Sequence, residues 1–195
     1  MAKDELKTTY KAVVIGGSTG SLDVLLRILP ALQPAMPFTV IIVLHRKNSG
    51  DSTLEHLLAG KTSIPVKEVD DKEPLLPAHI YVAPADYHLL IENDFTVSLD
   101  DSEKVNYSRP ALDVTFESAA DVYRNTLVGI LLSGANADGT KGLAAIKRMG
   151  GITVVQNPST AQAAFMPQQA ILNTTIDHIL DIPELIQFIN SIRHR

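Results

Sequence analysis

Residues Lys11 to Ser21 run from a continuous apolar stretch, Ala12-Val13-Val14-Ile15, into Gly16-Gly17-Ser18-Thr19-Gly20. Leu22, Leu25, Leu26 and Leu29 then recur at helical spacing. A buried strand that bends sharply into an amphipathic helix satisfies both patterns, because the glycines allow the bend and the leucines form one apolar stripe. The bend carries a serine. Gly16-x-Ser18-x-Gly20 has the form of the nucleophile elbow, in which small neighbours leave the hydroxyl exposed at a helix N-terminus. Backbone N–H groups at such a terminus can hold an oxyanion. The same residues also suit an ordinary βα turn in which Ser18 caps the helix, so this segment alone leaves both readings open. Dinucleotide binding is disfavoured, because Gly16 to Ser21 departs from G-x-G-x-x-G at the third and sixth positions.

The rest of the chain alternates apolar runs with segments of helical period, which predicts an α/β fold: a doubly wound, mainly parallel sheet with flanking helices. A helix is expected from about Ser21 to Leu32, and a second strand over Phe38 to Leu44 with His45 at its C-terminal end. Asp51-Ser52 reads as a cap for a short helix over Thr53 to Leu58, and Val66 to Val69 as a weak strand. His79 to Ala83, Tyr87 to Ile91 and Phe95 to Leu99 read as short strands forming a small antiparallel hairpin annex to the main sheet. Pro110 is expected in the first turn of a helix with Leu112, Phe116, Ala119, Ala120 and Tyr123 on its apolar face. A strand over Leu127 to Leu132 leads into the small-residue loop Ser133 to Gly139 and a helix from Thr140 to Met149, stopped by Gly150-Gly151. A strand over Ile152 to Val155, a helix near Gln168 to Leu172 and a capped Asp181-x-Pro183 helix ending at His194 complete the prediction. Without repeats or linkers, residues 1–195 are expected to form a single domain with a short extension over residues 1–10.

Composition narrows the chemistry. The chain has no cysteine, so disulfides, thiolate zinc sites and cysteine nucleophiles are excluded. A formal net charge of −5 and the lack of a dense Lys/Arg cluster argue against nucleic acid. Met1 to Lys7 is charged and no apolar run approaches bilayer length, so a cytoplasmic protein without membrane insertion is expected. His56, His79, His88, His178 and His194 show no metal-ligand spacing and read as surface or interior hydrogen-bonding groups.

Ser18, His45 and Asp138 all fall at C-terminal ends of expected strands, where active groups gather in open α/β sheets. Serine needs a neutral imidazole to take its proton, and the imidazole needs a carboxylate to fix its tautomer and steady its cation. The chain order Ser, His, Asp differs from that of α/β-hydrolases, so the partners cannot be chosen by that layout. His45 also suits a satisfied strand-end histidine, and Asp138 before Gly139 suits a turn or helix cap. Arg46, Lys47 and Arg109 read as a solvated rim or as substrate-facing cations.

Together with the elbow and His45, Tyr81-Val82-Ala83-Pro84-Ala85-Asp86-Tyr87-His88-Leu89, Ser108-Arg109-Pro110-Ala111-Leu112-Asp113-Val114-Thr115-Phe116-Glu117-Ser118-Ala119-Ala120 and Leu131 through Gly139 resemble the catalytic domain of CheB-type protein-glutamate methylesterases. The resemblance runs from about Lys11 to the last helix. It implies a cytoplasmic serine hydrolase, with no cofactor, that demethylates γ-glutamyl methyl esters on chemoreceptor helices and has parallel chemistry on glutamine amides. Ser18, His45 and Asp138 fall on the nucleophile, base and orienting acid. Thr19 falls beside the nucleophile and Ala135 where the family's loop offers a backbone N–H toward the oxyanion; Thr19, Ala135, Arg109 and Met166 together are assigned to the oxyanion and substrate side. The family usually carries Ala where this chain has Gly17, Gly where it has Ser21, and Gln where it has Leu44. Ser133-Gly134-Ala135-Asn136-Ala137-Asp138-Gly139 replaces Thr-Gly-Met-Gly-x-Asp-Gly, and Phe165-Met166-Pro167 replaces Gly-Met-Pro. Family members in chemotaxis usually carry an N-terminal phospho-receiver domain, and ten residues before the first strand are too few for one, so a stand-alone catalytic domain is expected. A second reading, favoured by the altered loop, is a weak or inactive homologue that uses the glycine turn as a binding module for an anion or a carboxylate.

Overall fold

A computed structural model describes residues 10–46 and 53–192. Asp51-Ser52, Lys47 and His194 lie outside the described residues. Among the described residues, the strands are β1 (Ala12–Gly17), β2 (Thr39–Leu44), β3 (Val66–Glu68), β4 (Ile80–Val82), β5 (His88–Ile91), β6 (Val97–Asp100), β7 (Leu127–Leu131), β8 (Ile152–Gln156) and β9 (His178–Leu180). The α-helices are α1 (Ser21–Ile28), α2 (Thr53–Ala59), α3 (Leu112–Tyr123), α4 (Thr140–Arg148), α5 (Phe165–Asn173) and α6 (Ile182–Ser191). Seven strands form one sheet in the order β3-β4-β2-β1-β7-β8-β9, with every pairing parallel. The strand order reverses between β1 and β7, which makes their C-terminal ends the crevice where ligands bind in open sheets.

Both faces of the sheet are covered, so its strands are apolar on both sides rather than alternating with polar residues. All six residues of β1 are buried. Ala12 and Val14 join Ile41, Val43, Phe116, Leu143 and Ile146 in one core, while Val13 and Ile15 join Ile42, Leu25, Ile28, Leu185 and Ile189 in the other. The period of two in the strand thus feeds two cores at once. Gly142 sits where α4 crosses α3, and a β-carbon there would lie 2.4 Å from Phe116 Cβ. That close crossing brings the start of α3 over the loop after β7.

Three expectations change. The His79–Ala83 segment supplies β4, a parallel member of the main sheet bonded to β2 and β3, because Ile80, Tyr81 and Val82 are buried on both faces. The antiparallel annex is β5 and β6 alone, a separate two-stranded sheet held to α3 through Thr115 Oγ1 donating to the Leu89 carbonyl at 2.8 Å and Ile91 N–H donating to Ser118 Oγ at 3.0 Å. Pro110 precedes α3 rather than entering it; Ala111 is the N-cap residue, and its N–H is taken by His88 Nδ1 at 3.2 Å. Strand β9 was not anticipated. It lines up through Asp177, which accepts N–H and hydroxyl bonds from Thr153 and pairs with Lys147. The capping box at Asp181 and Glu184 opens α6 as its sequence predicts. No described helix is long and apolar enough to cross a membrane.

Candidate active site

Each candidate residue follows one of three adjacent strands. Ser18 follows β1, His45 follows β2, and Asp138 lies seven residues beyond the end of β7. The ladders run on past the strands, with His45 N–H donating to the Gly17 carbonyl at 3.1 Å and Ser18 N–H donating to the Ser133 carbonyl at 2.9 Å. The parallel sheet therefore brings the three loops together at one edge.

The turn at Ser18 is held by the hydroxyls of Ser21 and Ser133, to which sequence reasoning assigned no bonding role. Ser21 Oγ accepts from Ser18 N–H at 3.1 Å and donates to the Ser133 carbonyl at 2.7 Å. Ser133 Oγ donates to the Thr19 carbonyl at 2.7 Å and accepts from Ala163 N–H at 2.9 Å. A β-carbon on Gly17 would lie 2.1 Å from Ser21 Oγ. A serine at 21 therefore leaves room only for glycine at 17. Gly17→Ala is expected to destabilise the protein by about 1–3 kcal/mol through overpacking, and Ser21→Gly in the same chain to recover most of that loss. Thermal or urea melts of the two single variants and the double variant measure the coupling.

His45 Nε2 bonds to Asp138 Oδ2 at 2.7 Å, with side chains 10% and 0% exposed. The carboxylate is held from several sides. Leu112 N–H donates to Oδ2 at 2.6 Å, and Asp113 N–H and Gly139 N–H each donate to Oδ1 at 3.1 Å. Asn106 Nδ2 also reaches Oδ1, at 2.7 Å. Asp138 thus caps α3, a helix distant in sequence, while the N-cap of its own following helix α4 is Gly139 with no side-chain cap. Burial pushes the Asp138 carboxyl upward, but hydrogen bonds from His45, Leu112 N–H, Asn106 and Asp113 N–H outweigh it and hold the group below the usual carboxylate range. It is an anion poised beside an imidazole.

Ser18 and His45 line one cavity of about 300 Å³ with Leu22, Leu44 and Leu57. No hydrogen bond joins the Ser18 hydroxyl to the ring among the described residues. With Nε2 on Asp138, the nitrogen left for Ser18 is Nδ1. On its other side His45 lines a cavity of about 440 Å³ with Arg46, Asp86, Lys104, Tyr107 and Arg109. The imidazole stands between an apolar recess and a cationic one.

Arg109 lies on that second wall, with Nη1 donating to the Ser102 carbonyl at 2.7 Å and to the Asp101 carbonyl. Arg46 is paired with Glu68 and also reaches the Ala83 carbonyl at 3.3 Å. Thr19 and Ala135 are exposed, and their N–H groups donate to no described residue. Met166 is fully buried, and a β-carbon on Gly134 would fall 2.5 Å from its Cε. It braces the loop after β7 and offers no exposed surface to a substrate, because its N–H and side chain are both committed to Gly134.

A second buried carboxylate, Asp113, also went unread. Its signal was available: it shares the apolar stripe of α3, three residues before Phe116. Asp113 accepts Gly142 N–H at 2.7 Å and Asn106 Nδ2 at 2.9 Å. Burial foremost, with the charge of Asp138 behind it, pushes Asp113 up to about 6 against the opposing Gly142 hydrogen bond. Between the unfolded value of about 3.9 and about 6, the folded protein holds a proton that the unfolded chain has released, so this group's contribution to stability is lost as pH rises through that window. The contribution from Asp138 has the opposite sense: it is present above the unfolded value and lost only as pH falls through the lower folded one. Asp113→Asn is therefore expected to flatten the melting temperature between pH 4.5 and 7, removing a drop of about 5 °C. Melts of both proteins across that range check it. Among the described residues no group of three or more His, Asp or Glu side chains is placed to hold a metal ion.

The family model described as CheB methylesterase matches residues 13–189. The chain belongs to the CheB methylesterase family. A Leptospira interrogans relative named putative protein-glutamate methylesterase/protein-glutamine glutaminase is 42% identical over 178 residues, covering 91% of this chain and 92% of that protein. A Thermotoga maritima relative named protein-glutamate methylesterase/protein-glutamine glutaminase is 34% identical over 89% of this chain, which spans 52% of that protein. The crystal structure of the Thermotoga maritima CheB methylesterase catalytic domain superposes with a TM-score of 0.89 at 32% identity, covering 94% of this chain and 98% of that one. The seven-stranded sheet with its two-stranded annex is thus the fold of the CheB catalytic domain.

Proposed function

We propose that this chain is a protein-glutamate methylesterase that hydrolyses γ-glutamyl methyl esters by acyl transfer through Ser18. The observation that carries this reading is the 2.7 Å bond between His45 Nε2 and Asp138 Oδ2, beside a cavity that His45 shares with Ser18. Asp138 fixes the proton on Nε2, leaving Nδ1 to take the Ser18 proton as the hydroxyl attacks the ester carbonyl. Thr19 and Ala135 N–H groups face the developing oxyanion, aided by the start of α1. The protonated imidazole gives its proton to the departing methoxide oxygen as the C–O bond breaks, and methanol leaves. Water, deprotonated by the same Nδ1, then attacks the acyl carbon, and the imidazole returns that proton to the departing Ser18 Oγ as the glutamate is freed.

The relatives' names pair this activity with protein-glutamine glutaminase, and the same steps on an amide release ammonia. The substrate is a methylated chemoreceptor cytoplasmic helix, which places the protein in the cytoplasm and in chemotaxis signalling. The Arg46, Lys104 and Arg109 wall suits a segment rich in glutamate. Domain organisation follows the same reading, with the catalytic unit acting as one domain. Methanol release from a methylated receptor fragment tests the proposal: release that depends on the protein supports it, and its absence from an otherwise folded protein overturns it.

A further inference from the structure

Asn106 lies in a tight turn closed by reciprocal backbone bonds, Val105 N–H to the Ser108 carbonyl at 3.2 Å and Ser108 N–H to the Val105 carbonyl at 2.9 Å. Asn106 and Tyr107 both take positive φ, 52° and 63°. The turn sends Tyr107 outward, 98% exposed, while the Asn106 amide points in to two buried carboxylates. One nitrogen with two hydrogens serves both, reaching Asp138 Oδ1 at 2.7 Å and Asp113 Oδ2 at 2.9 Å. Among the described residues no Lys or Arg bonds to either acid; their other donors are backbone N–H groups and His45. The other charged neighbours are Glu117, one turn along α3, and Lys141, which lines the cavity beside both acids.

We propose that Asn106 is a positioning residue for catalysis: its amide keeps Asp113 and Asp138 apart, so that Asp138 Oδ2 stays turned to His45. The inference rests on the Ser18–His45–Asp138 reading. Two carboxyl groups brought together in a buried site share a proton, because both cannot ionise cheaply there. With the amide gone, Asp113 is free to bond Asp138 through a shared proton and draw it from the imidazole. The amide prevents this by occupying the space between them with a donor for each, without adding charge. Asparagine suits the place doubly, since it also tolerates the left-handed backbone the turn requires.

The test therefore separates the amide from the turn. Asn106→Gly keeps the positive φ without strain and removes the amide. On a methylated receptor fragment its kcat is expected to fall 10- to 100-fold, the worth of one hydrogen bond to an ionised group, with KM within about twofold. Asp113→Asn added to Asn106→Gly removes the proton-sharing acid, and is expected to restore kcat by about tenfold over Asn106→Gly alone. Circular dichroism confirms that each variant is folded, and Ser18→Ala is the control. An unchanged kcat in Asn106→Gly, a loss confined to KM, or no recovery in the double variant overturns the proposal while leaving the triad standing. Full activity in Ser18→Ala instead overturns the triad reading itself.

Discussion

Ser18→Ala is expected to lower methanol release at least 10⁴-fold while leaving the melting temperature within about 2 °C. The size of the loss follows from the mechanism. Without Oγ no acyl-enzyme forms, and the remaining catalysis is what the oxyanion donors and substrate binding supply to a directly attacking water. The small effect on stability follows from the fold. The turn is held by Ser18 N–H on the Ser133 carbonyl and by the hydroxyls of Ser21 and Ser133, none of which the substitution touches. Steady-state rates with a methylated receptor fragment, paired with a melt of the same preparation, measure both.

Asp138→Asn combines a comparable catalytic loss with a structural one. The amide is nearly isosteric but cannot hold the imidazole as an anion does, and the expected fall in kcat is about 10⁴-fold. In this protein the carboxylate also receives Leu112 N–H, Asp113 N–H, Gly139 N–H and the Asn106 amide. An amide turns one of those acceptor positions into a donor facing a donor, so a loss of about 1–3 kcal/mol of stability is expected alongside the kinetic effect. Ser18→Ala and Asp138→Asn should therefore resemble one another in rate and differ in their melts.

Much of this was legible in the sequence for a physical reason. Strands buried on both faces are written as unbroken apolar runs, and Ala12–Ile15 and Val40–Leu44 could hardly be read otherwise. Ser18, His45 and Asp138 could be nominated because strand ends in such a sheet collect at one edge. What the sequence could not supply was the sideways packing of α3. Nothing in the spacing of Asn106, Leu112 and Asp113 says that they converge on a carboxylate from another loop. That depends on the crossing at Gly142 and on the short turn before α3. Strand β4 was misplaced for a related reason, since three apolar residues beside a hairpin carry no mark of which sheet will take them. Met166 was assigned toward substrate from its place in a motif, and its burial under Gly134 gives it a bracing role.

The pair at positions 17 and 21 has the same lesson at smaller scale. Read singly, each departure from the family is a minor change of side chain. Placed 2.1 Å apart, an introduced β-carbon and the Ser21 hydroxyl exclude one another, so the two positions must be read together.

The central claim, that Ser18 is activated by His45 and Asp138 at one sheet edge, is tested most directly by labelling with a fluorophosphonate probe followed by peptide mass mapping. A single adduct on Ser18 is predicted, absent from Ser18→Ala and slowed at least 10³-fold in His45→Ala. An adduct on another residue, or labelling of Ser18 at an undiminished rate without His45, would contradict the account.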